Sequence, residues 1–152
     1  MRRLAWMTLV CAVLVFCLLP ARAFAERTFI GAEKCKMCHK LQYESWAQTP
    51  HAKPLDALKP EERSKAECVG CHTTNGIELP NVQCEACHGA GSEYKTLAIM
   101  KDKEKAIAAG LTIPDEALCT GKCHNSKSPN FKSFDFKTMA PKVHEHKAPA
   151  AK

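Results

Sequence analysis

Hydrophobic residues form one continuous run near the start of the chain and only short groups elsewhere. The run extends from Leu4 to Leu19, follows two arginines and ends before a proline and the triplet Ala23-Phe24-Ala25. A basic start, an apolar stretch and a small-residue A-x-A triplet are typical of a cleaved secretory signal peptide. The run is shorter than the about 20 residues of a spanning helix, which argues against a membrane anchor. We therefore interpret residues 1–25 as a signal peptide and expect export to the periplasm or exterior of a bacterium.

The rest of the chain shows no strand-like alternation, and proline and glycine interrupt it repeatedly. This pattern predicts one mainly α domain over residues 26–147, built from short helices and long loops wrapped around cofactors, and a disordered tail over 148–152. Capping residues and prolines place the helices. We expect helices over about 32–49, over 102–109 between Asp102 and Gly110, from Asp115 into the fourth cysteine pair, and from Pro141 to His146.

Eight of the ten cysteines occur in pairs with a histidine directly after the second member. In order, the four motifs are CKMCH (Cys35, Cys38, His39), CVGCH (Cys68, Cys71, His72), CEACH (Cys84, Cys87, His88) and CTGKCH (Cys119, Cys123, His124). Two thiols so spaced can add to the vinyl groups of one haem, which places the adjoining imidazole under the iron as its proximal ligand. The motifs therefore predict four covalently attached c-type haems.

Zinc and disulfides are the alternative uses of paired cysteines. A zinc site would join two pairs in one tetrahedron and would not require a histidine after each pair. A disulfide between cysteines three residues apart removes little entropy from the unfolded chain. The fourth motif has one extra residue, and without haem Cys119 and Cys123 would be a free dithiol or a disulfide.

Four six-coordinate haems need eight axial ligands, and the chain has seven histidines. Beyond the four proximal residues, His51 is predicted to be a distal ligand. His144 and His146 are two apart, so on a helix they would point to nearly opposite sides and only one would ligate. At least one iron then lacks a histidine, which leaves three alternatives: a methionine (Met100 or Met139), a histidine from a neighbouring subunit, or an open iron.

Charge does not indicate a nucleic-acid partner. Cleavage after Ala25 would leave 127 of the 152 residues and, by removing three arginines, lower the formal net charge from +6 to +3. The haem propionates would bring the protein close to neutrality, so the lysines are expected to balance propionates or face a partner protein. Such a chain has a radius of gyration of about 14 Å, and four haems that close exchange electrons readily.

Beyond the haem motifs, the chain resembles the tetrahaem cytochrome c-554 family from about Gly31 to Lys147. The residues that carry this resemblance are Ser45-Trp46, Thr49, His51-Ala52-Lys53, Leu58-Lys59-Pro60, Gly91, Phe134, Phe136, Met139 and Val143-His144-Glu145-His146. The resemblance implies a mainly helical fold with haems in close pairs and electron transfer between periplasmic redox partners. It also implies distal ligation by His51 and His144 and a five-coordinate iron opposite His72.

The chain differs from the family's sequence pattern in two respects. The family has a distal histidine between the third and fourth motifs, whereas this chain has none between His88 and His124. The fourth motif is also longer by one residue. The family's full set of axial ligands therefore does not transfer to this chain.

The leading hypothesis is an electron carrier rather than an enzyme, with redox partner proteins and with membrane contact only through those partners. One alternative is a reductase of nitric oxide, hydroxylamine or a similar small molecule at a five-coordinate haem. Another is a subunit of a haem polymer, in which neighbouring subunits supply the missing ligands.

Overall fold

The structure, a computed structural model, describes residues 26–146, and both the predicted signal peptide and the predicted tail over 148–152 lie outside these residues. The expectation of a mainly helical chain with short helices and loops is confirmed. Within the described residues, no helix is both long enough and apolar enough to cross a membrane.

The helices and strands are short and follow one another closely along the chain. The α-helices are α1 (Ala32–Lys36), α2 (Lys40–Trp46), α3 (Ala66–His72), α4 (Cys84–His88), α5 (Leu97–Met100), α6 (Lys103–Ala108), α7 (Glu116–Lys122) and α8 (Phe136–Met139). Turns of 3₁₀ helix span Pro50–Ala52, Pro54–Ala57, Pro60–Glu62 and Ala140–Lys142, and the strands are β1 (Thr73–Asn75) and β2 (Leu79–Pro80).

The single long helix expected over 32–49 is wrong, because two helices occupy this stretch. The backbone of His39 has φ −112° and ψ 47°, which lies outside the α region, so the helical hydrogen bonds cannot continue through it. Helix α1 therefore ends within the first motif, and His39 occupies the N-cap position of α2.

Both predicted acidic caps are confirmed. The Asp102 carboxylate accepts a hydrogen bond from the Lys105 backbone N–H at 3.1 Å, at the start of α6. The Asp115 carboxylate accepts one from the Leu118 backbone N–H at 2.8 Å, at the start of α7. Each cap satisfies a backbone donor that has no partner within its own helix.

The expected last helix over 141–146 is also wrong. Pro141 lies in the first turn of a 3₁₀ helix as predicted, but this helix ends at Lys142. The following residues, which include His144 and His146, are not helical.

A small antiparallel hairpin was not predicted. Its strands β1 and β2 are too short to show an alternating pattern, and their register is irregular. The Thr74 hydroxyl donates to the Asn81 carbonyl at 2.8 Å and accepts from the Gln83 backbone N–H at 2.7 Å. These bonds connect the hairpin to the residue that precedes α4, so they fix the chain between the second and third motifs.

The described residues contain almost no conventional hydrophobic core. No large side chain among them is fully buried. The buried apolar residues are Ala32, Ala52, Ala86, Tyr94 and Ala106. So small a set provides little hydrophobic stabilisation, which agrees with the expectation that cofactors supply much of the core.

A buried carboxylate holds the third motif against the start of the described chain. Glu85 is only 2% exposed. One of its oxygens accepts from the Gly91 backbone N–H at 2.7 Å, and the other accepts from the Gly31 backbone N–H at 2.8 Å. The Ile30 backbone N–H lies 3.0 Å from both oxygens. Gly91 leaves room for this contact, since a Cβ on it would lie 3.0 Å from the nearer carboxylate oxygen.

Replacing this carboxylate by an amide should destabilise the protein. In Glu85→Gln an amide NH₂ must face a backbone N–H that now has no acceptor, which costs about 1 to 3 kcal/mol of unfolding free energy. Denaturant unfolding measures this loss. Glu61→Gln is the matched control, because Glu61 is exposed. Equal midpoints for the two variants would contradict the role given to Glu85.

Candidate haem attachment and ligand sites

Each cysteine motif lies on or at the end of a short helix. The first motif spans the end of α1, the second closes α3, the third forms α4, and the fourth lies at the end of α7. All eight cysteines of the motifs are free thiols; Cys38 is exposed and the other seven are partly buried. The chain therefore presents four thiol pairs that are available for attachment.

The backbone accommodates the extra residue of the fourth motif by forming a wider helical turn. In the first motif, the His39 N–H donates to the Cys35 carbonyl at 2.9 Å, four residues back. In the fourth, the His124 N–H donates to the Cys119 carbonyl at 2.9 Å, five residues back. A wider turn of the π type thus returns the histidine to the same backbone partner, the first cysteine of its motif. CTGKCH can therefore present its imidazole much as the regular motifs do.

Cysteine sulfurs of different motifs contact one another. The Cys35 and Cys84 thiols share a hydrogen bond, which raises the pKa of Cys35 and lowers that of Cys84. Burial and the neighbouring Cys71 thiol raise the pKa of Cys123 to about 12. These contacts join the first motif to the third and the second motif to the fourth.

The third and fourth motifs are also neighbours. Burial raises the pKa of Cys87, and the nearby Cys119 thiol raises it further. The Lys122 ammonium donates to the Ala86 carbonyl at 3.0 Å, which ties the fourth motif to the backbone of the third. Thioether bonds would replace these thiols and remove their pKa values, but the positions of the motifs would remain. The motifs adjoin in the order first, third, fourth, second.

The rings of His88 and His144 face each other across a gap that would fit one iron. Their centroids lie 6.1 Å apart, with an interplanar angle of 38°. Two imidazoles that share one metal, with each nitrogen about 2 Å from it, have centroids about 6 Å apart. The structure thus pairs the proximal histidine of the third motif with His144.

His51 and His124 form a second pair of this kind. Their ring centroids lie 6.0 Å apart, at an interplanar angle of 84°. Phe134 stacks on the His124 ring at 4.4 Å, which leaves the ring edge with its nitrogens free. His51 is therefore placed opposite the proximal histidine of the fourth motif.

Hydrogen bonds to backbone carbonyls fix which ring nitrogen can bind a metal. The Nδ1 atoms of His72 and His88 lie 2.7 Å from the Pro54 carbonyl and 3.0 Å from the Thr112 carbonyl. A carbonyl only accepts, so Nδ1 must carry the proton and Nε2 keeps its lone pair. Backbone partners of this kind commonly orient metal-ligating histidines.

The same argument shows that His144 and His146 differ in which ring nitrogen is free. The Nδ1 of His144 donates to the Glu145 carbonyl at 2.9 Å, so its Nε2 is available. The Nε2 of His146 instead donates to the Ala140 carbonyl at 3.2 Å. The expectation that the two rings point to opposite sides is wrong: their centroids are 4.4 Å apart, because this segment is not helical.

Burial favours the neutral form of three of these histidines. It lowers the pKa of His88 and of His124, and it lowers that of His51, to which the charge of His124 contributes further. Neutral imidazole is the form that binds a metal. These three rings are therefore in the protonation state that iron ligation requires.

Neither His39 nor His72 is paired in this way. Within residues 26–146, which contain all seven histidines, no other histidine ring lies opposite either of them at a comparable distance. Of the candidate methionines, Met139 lies beside His124 and Met100 ends α5. The structure thus brings a second histidine ring opposite His88 and opposite His124, whereas His39 lines the cleft that His51 and His144 also line.

Two clefts adjoin the motifs. The first, of about 460 Å³, is lined by residues of the first and third motifs together with Trp46, His51 and His144. The second, of about 570 Å³, lies beside His124 and is lined by Phe131, Phe134 and Met139 among others. Met100 lies on neither cleft. Aromatic, apolar surfaces next to free imidazole nitrogens suit a haem, so the donor set and its surroundings fit the predicted cofactor.

Among residues 26–146, no group of three or more cysteine, histidine or acidic side chains is arranged to hold a metal ion. The cysteine contacts that do occur join motifs in pairs, as side-by-side haems would require.

Sequence reasoning missed the residues that orient the site. The carboxylate of Glu85 lies between the two cysteines of the third motif, where haem attachment places no constraint on residue type. The acceptors for His72 and His88 are carbonyls of Pro54 and Thr112, and a backbone group leaves no signal in the sequence. The Trp46 indole N–H donates to the Val82 carbonyl at 2.9 Å. This bond, too, could be recognised only from the fold.

Comparisons with known proteins agree with these observations. The family described as "Cytochrome c554 and c-prime" matches residues 34–89, which include the first three motifs. Cytochrome c-554 of Nitrosomonas europaea is 34% identical over 99 residues, an alignment covering 47% of this chain and 42% of that relative. The chain thus spans less than half of the relative's length. No solved structure matches the chain significantly.

Substitution of His144 and of His146, one at a time, should show which of them is an iron ligand. We expect His144→Gln to convert one low-spin haem to high spin, because an amide does not replace a strong imidazole ligand. His146→Gln should leave the spin states unchanged. Electron paramagnetic resonance of the oxidised holoprotein counts both kinds of haem. The reverse result, with a conversion only in His146→Gln, would show that the pairing of His144 with His88 is wrong.

Proposed function

We propose that this chain, which is similar in part to the cytochrome c-554 family, is a periplasmic tetrahaem c-type cytochrome that carries electrons between redox partner proteins. The observation that carries the proposal is that the four motifs adjoin one another. Thiol hydrogen bonds join Cys35 to Cys84 and Cys71 to Cys123. The Lys122 ammonium joins the fourth motif to the third, since it donates to the Ala86 carbonyl at 3.0 Å. Because the relative is longer, the proposal rests on this chain's own residues as much as on the likeness.

The cofactors supply the one-electron chemistry, and the chain holds and orients them. In this proposal Cys35, Cys38, Cys68, Cys71, Cys84, Cys87, Cys119 and Cys123 form the thioethers, and His39, His72, His88 and His124 are the proximal ligands. The fourth attachment site lies outside the family match. Its support comes from the wider turn at His124 and from the placement of His51 opposite that ring.

The order of the motifs sets the path for electrons. The edge of a haem that carries the thioethers lies at its cysteines, so contacts between cysteines of two motifs imply haem edges that are close together. The path would run from the first motif to the third at Cys35 and Cys84, then to the fourth, whose Lys122 bonds to the backbone of the third, and finally to the second at Cys123 and Cys71. Tunnelling falls steeply with distance between edges, so each step along this path is short.

The paired histidines suit the two inner positions of the path. His144 and His51 would close the irons of the third and fourth motifs to external ligands, and two imidazoles on one iron give a low-spin centre. Such a centre changes little in coordination when it gains or loses an electron. The inner haems are therefore suited to passing electrons rather than to binding substrates.

The charge of the chain agrees with protein partners. No basic stretch typical of nucleic-acid binding occurs, and the charged side chains of both signs are interspersed. We propose donor and acceptor proteins as partners, with any membrane contact made through them.

A reductase of a small nitrogen compound is the second candidate function. It is favoured by His72, which is oriented by the Pro54 carbonyl and has no histidine opposite within residues 26–146. Turnover of nitric oxide or hydroxylamine with a protein reductant, abolished by replacement of His72, would place this function ahead of electron transfer.

The proposed function predicts four redox-active haems. A reductive titration of the exported protein should take up four electrons, and its intact mass should equal the mature chain plus four haems. Cys119→Ala with Cys123→Ala should lose one haem and take up three electrons, since this variant removes only the fourth attachment site. A wild-type protein with three haems would show that the fourth motif is not loaded.

A further inference from the structure

Resting on the proposed tetrahaem function, we infer that the haem of the first motif has no protein ligand opposite His39. Its iron is then a binding site for a small uncharged diatomic ligand such as nitric oxide or carbon monoxide. The resemblance to the family implies an open iron only at the second motif. The structure of this chain points to another one at the opposite end of the electron path.

The number of histidines limits how many irons can have a distal histidine ligand. All seven histidines lie in the described residues, and four of them are proximal by attachment. Of the other three, His51 faces His124 at 6.0 Å and His144 faces His88 at 6.1 Å. Only His146 is left for two irons.

The ring of His146 does not lie opposite that of His39. Its Nε2 donates to the Ala140 carbonyl at 3.2 Å, and its ring lies beside that of His144, 4.4 Å away. It faces neither His39 nor His72 across a gap of the size that separates the two paired rings. The first and second motifs thus both lack a distal histidine from this chain.

The described methionines do not fill the first position. Met37 lies between the two cysteines of the first motif, on the attachment side, and is 76% exposed. Met139 is 41% exposed and lines the cleft beside His124, which already has a histidine partner. Met100, at the end of α5, lies on neither cleft, and a variant tests it directly.

The position of the first motif gives an external ligand access. Its described sulfur contact with another motif is that of Cys35 with Cys84, so it lies at the end of the series opposite the second motif. Cys38 and His39 are both exposed, whereas the cysteines and histidines of the other three motifs are partly buried. A small uncharged molecule can therefore reach this end of the protein from solvent.

Counting carbon monoxide tests the inference. We expect the reduced holoprotein to bind two carbon monoxide molecules, and high-spin signals of the oxidised protein to integrate to two haems. Cys35→Ala with Cys38→Ala should lower the number bound to one. The matched control, Cys119→Ala with Cys123→Ala, removes a haem with two histidine ligands and should still bind two. His146→Gln should bind two as well.

Three results would overturn the inference. One is a four-haem protein that binds a single carbon monoxide. Another is a count that rises from one to two in Met100→Ala or His146→Gln, which would identify that residue as the ligand. The third is a count that falls as the protein concentration rises, which would show that a second copy supplies the ligand. The wild-type count decides the matter even if a cysteine variant fails to fold, and a mass showing fewer than four haems would instead overturn the proposed function.

Discussion

Four cysteine motifs must be held side by side by a chain that fully buries no large side chain in its described part. Hydrophobic burial between side chains is too limited to impose this arrangement. Directional hydrogen bonds impose it instead. The carboxylate of Glu85 holds three backbone N–H groups near the third motif, and the ammonium of Lys122 holds the backbone between Cys84 and Cys87. The motif at the centre of the series is thus the one with the most bonds to the rest of the chain.

This arrangement explains why the third motif is so constrained. It adjoins the first motif through Cys84 and the fourth through Cys87, so a shift of its helix would move two interfaces at once. The following residue, Gly89, has φ +79°, and a Cβ there would lie 2.8 Å from the Gly110 carbonyl. A larger residue would therefore push the end of this motif away from the segment that carries Thr112, the partner of His88.

A limited number of histidines determines how the proposed haems divide between tasks. In the proposed assignment, His144 and His51 serve the third and fourth motifs, which lie inside the series, and the motifs at the ends receive no histidine. Closed irons in the middle would then conduct electrons, and open irons at the ends would be accessible to external ligands.

The local chemistry could be predicted from the sequence alone. A cysteine pair followed by histidine is a local pattern, and so are the caps at Asp102 and Asp115, because every group involved lies within a few residues. The mainly helical class followed from the absence of alternation. The interruption at His39 could not be predicted from the pattern of apolar residues, because a backbone angle within the motif decides it.

Only the tertiary structure decided which histidine serves which motif. His51 is closer in sequence to the first and second motifs than to the fourth, yet its ring faces His124. His144 and His146 are equivalent by composition and spacing, and carbonyl partners distinguish them. The pairing of histidine rings depends on distances between segments that are far apart in the chain. It also depends on backbone carbonyls, which accept hydrogen bonds whatever the residue type. The sequence therefore determined the number and kind of candidate attachment motifs, and the fold determined their order and which histidine rings lie opposite one another.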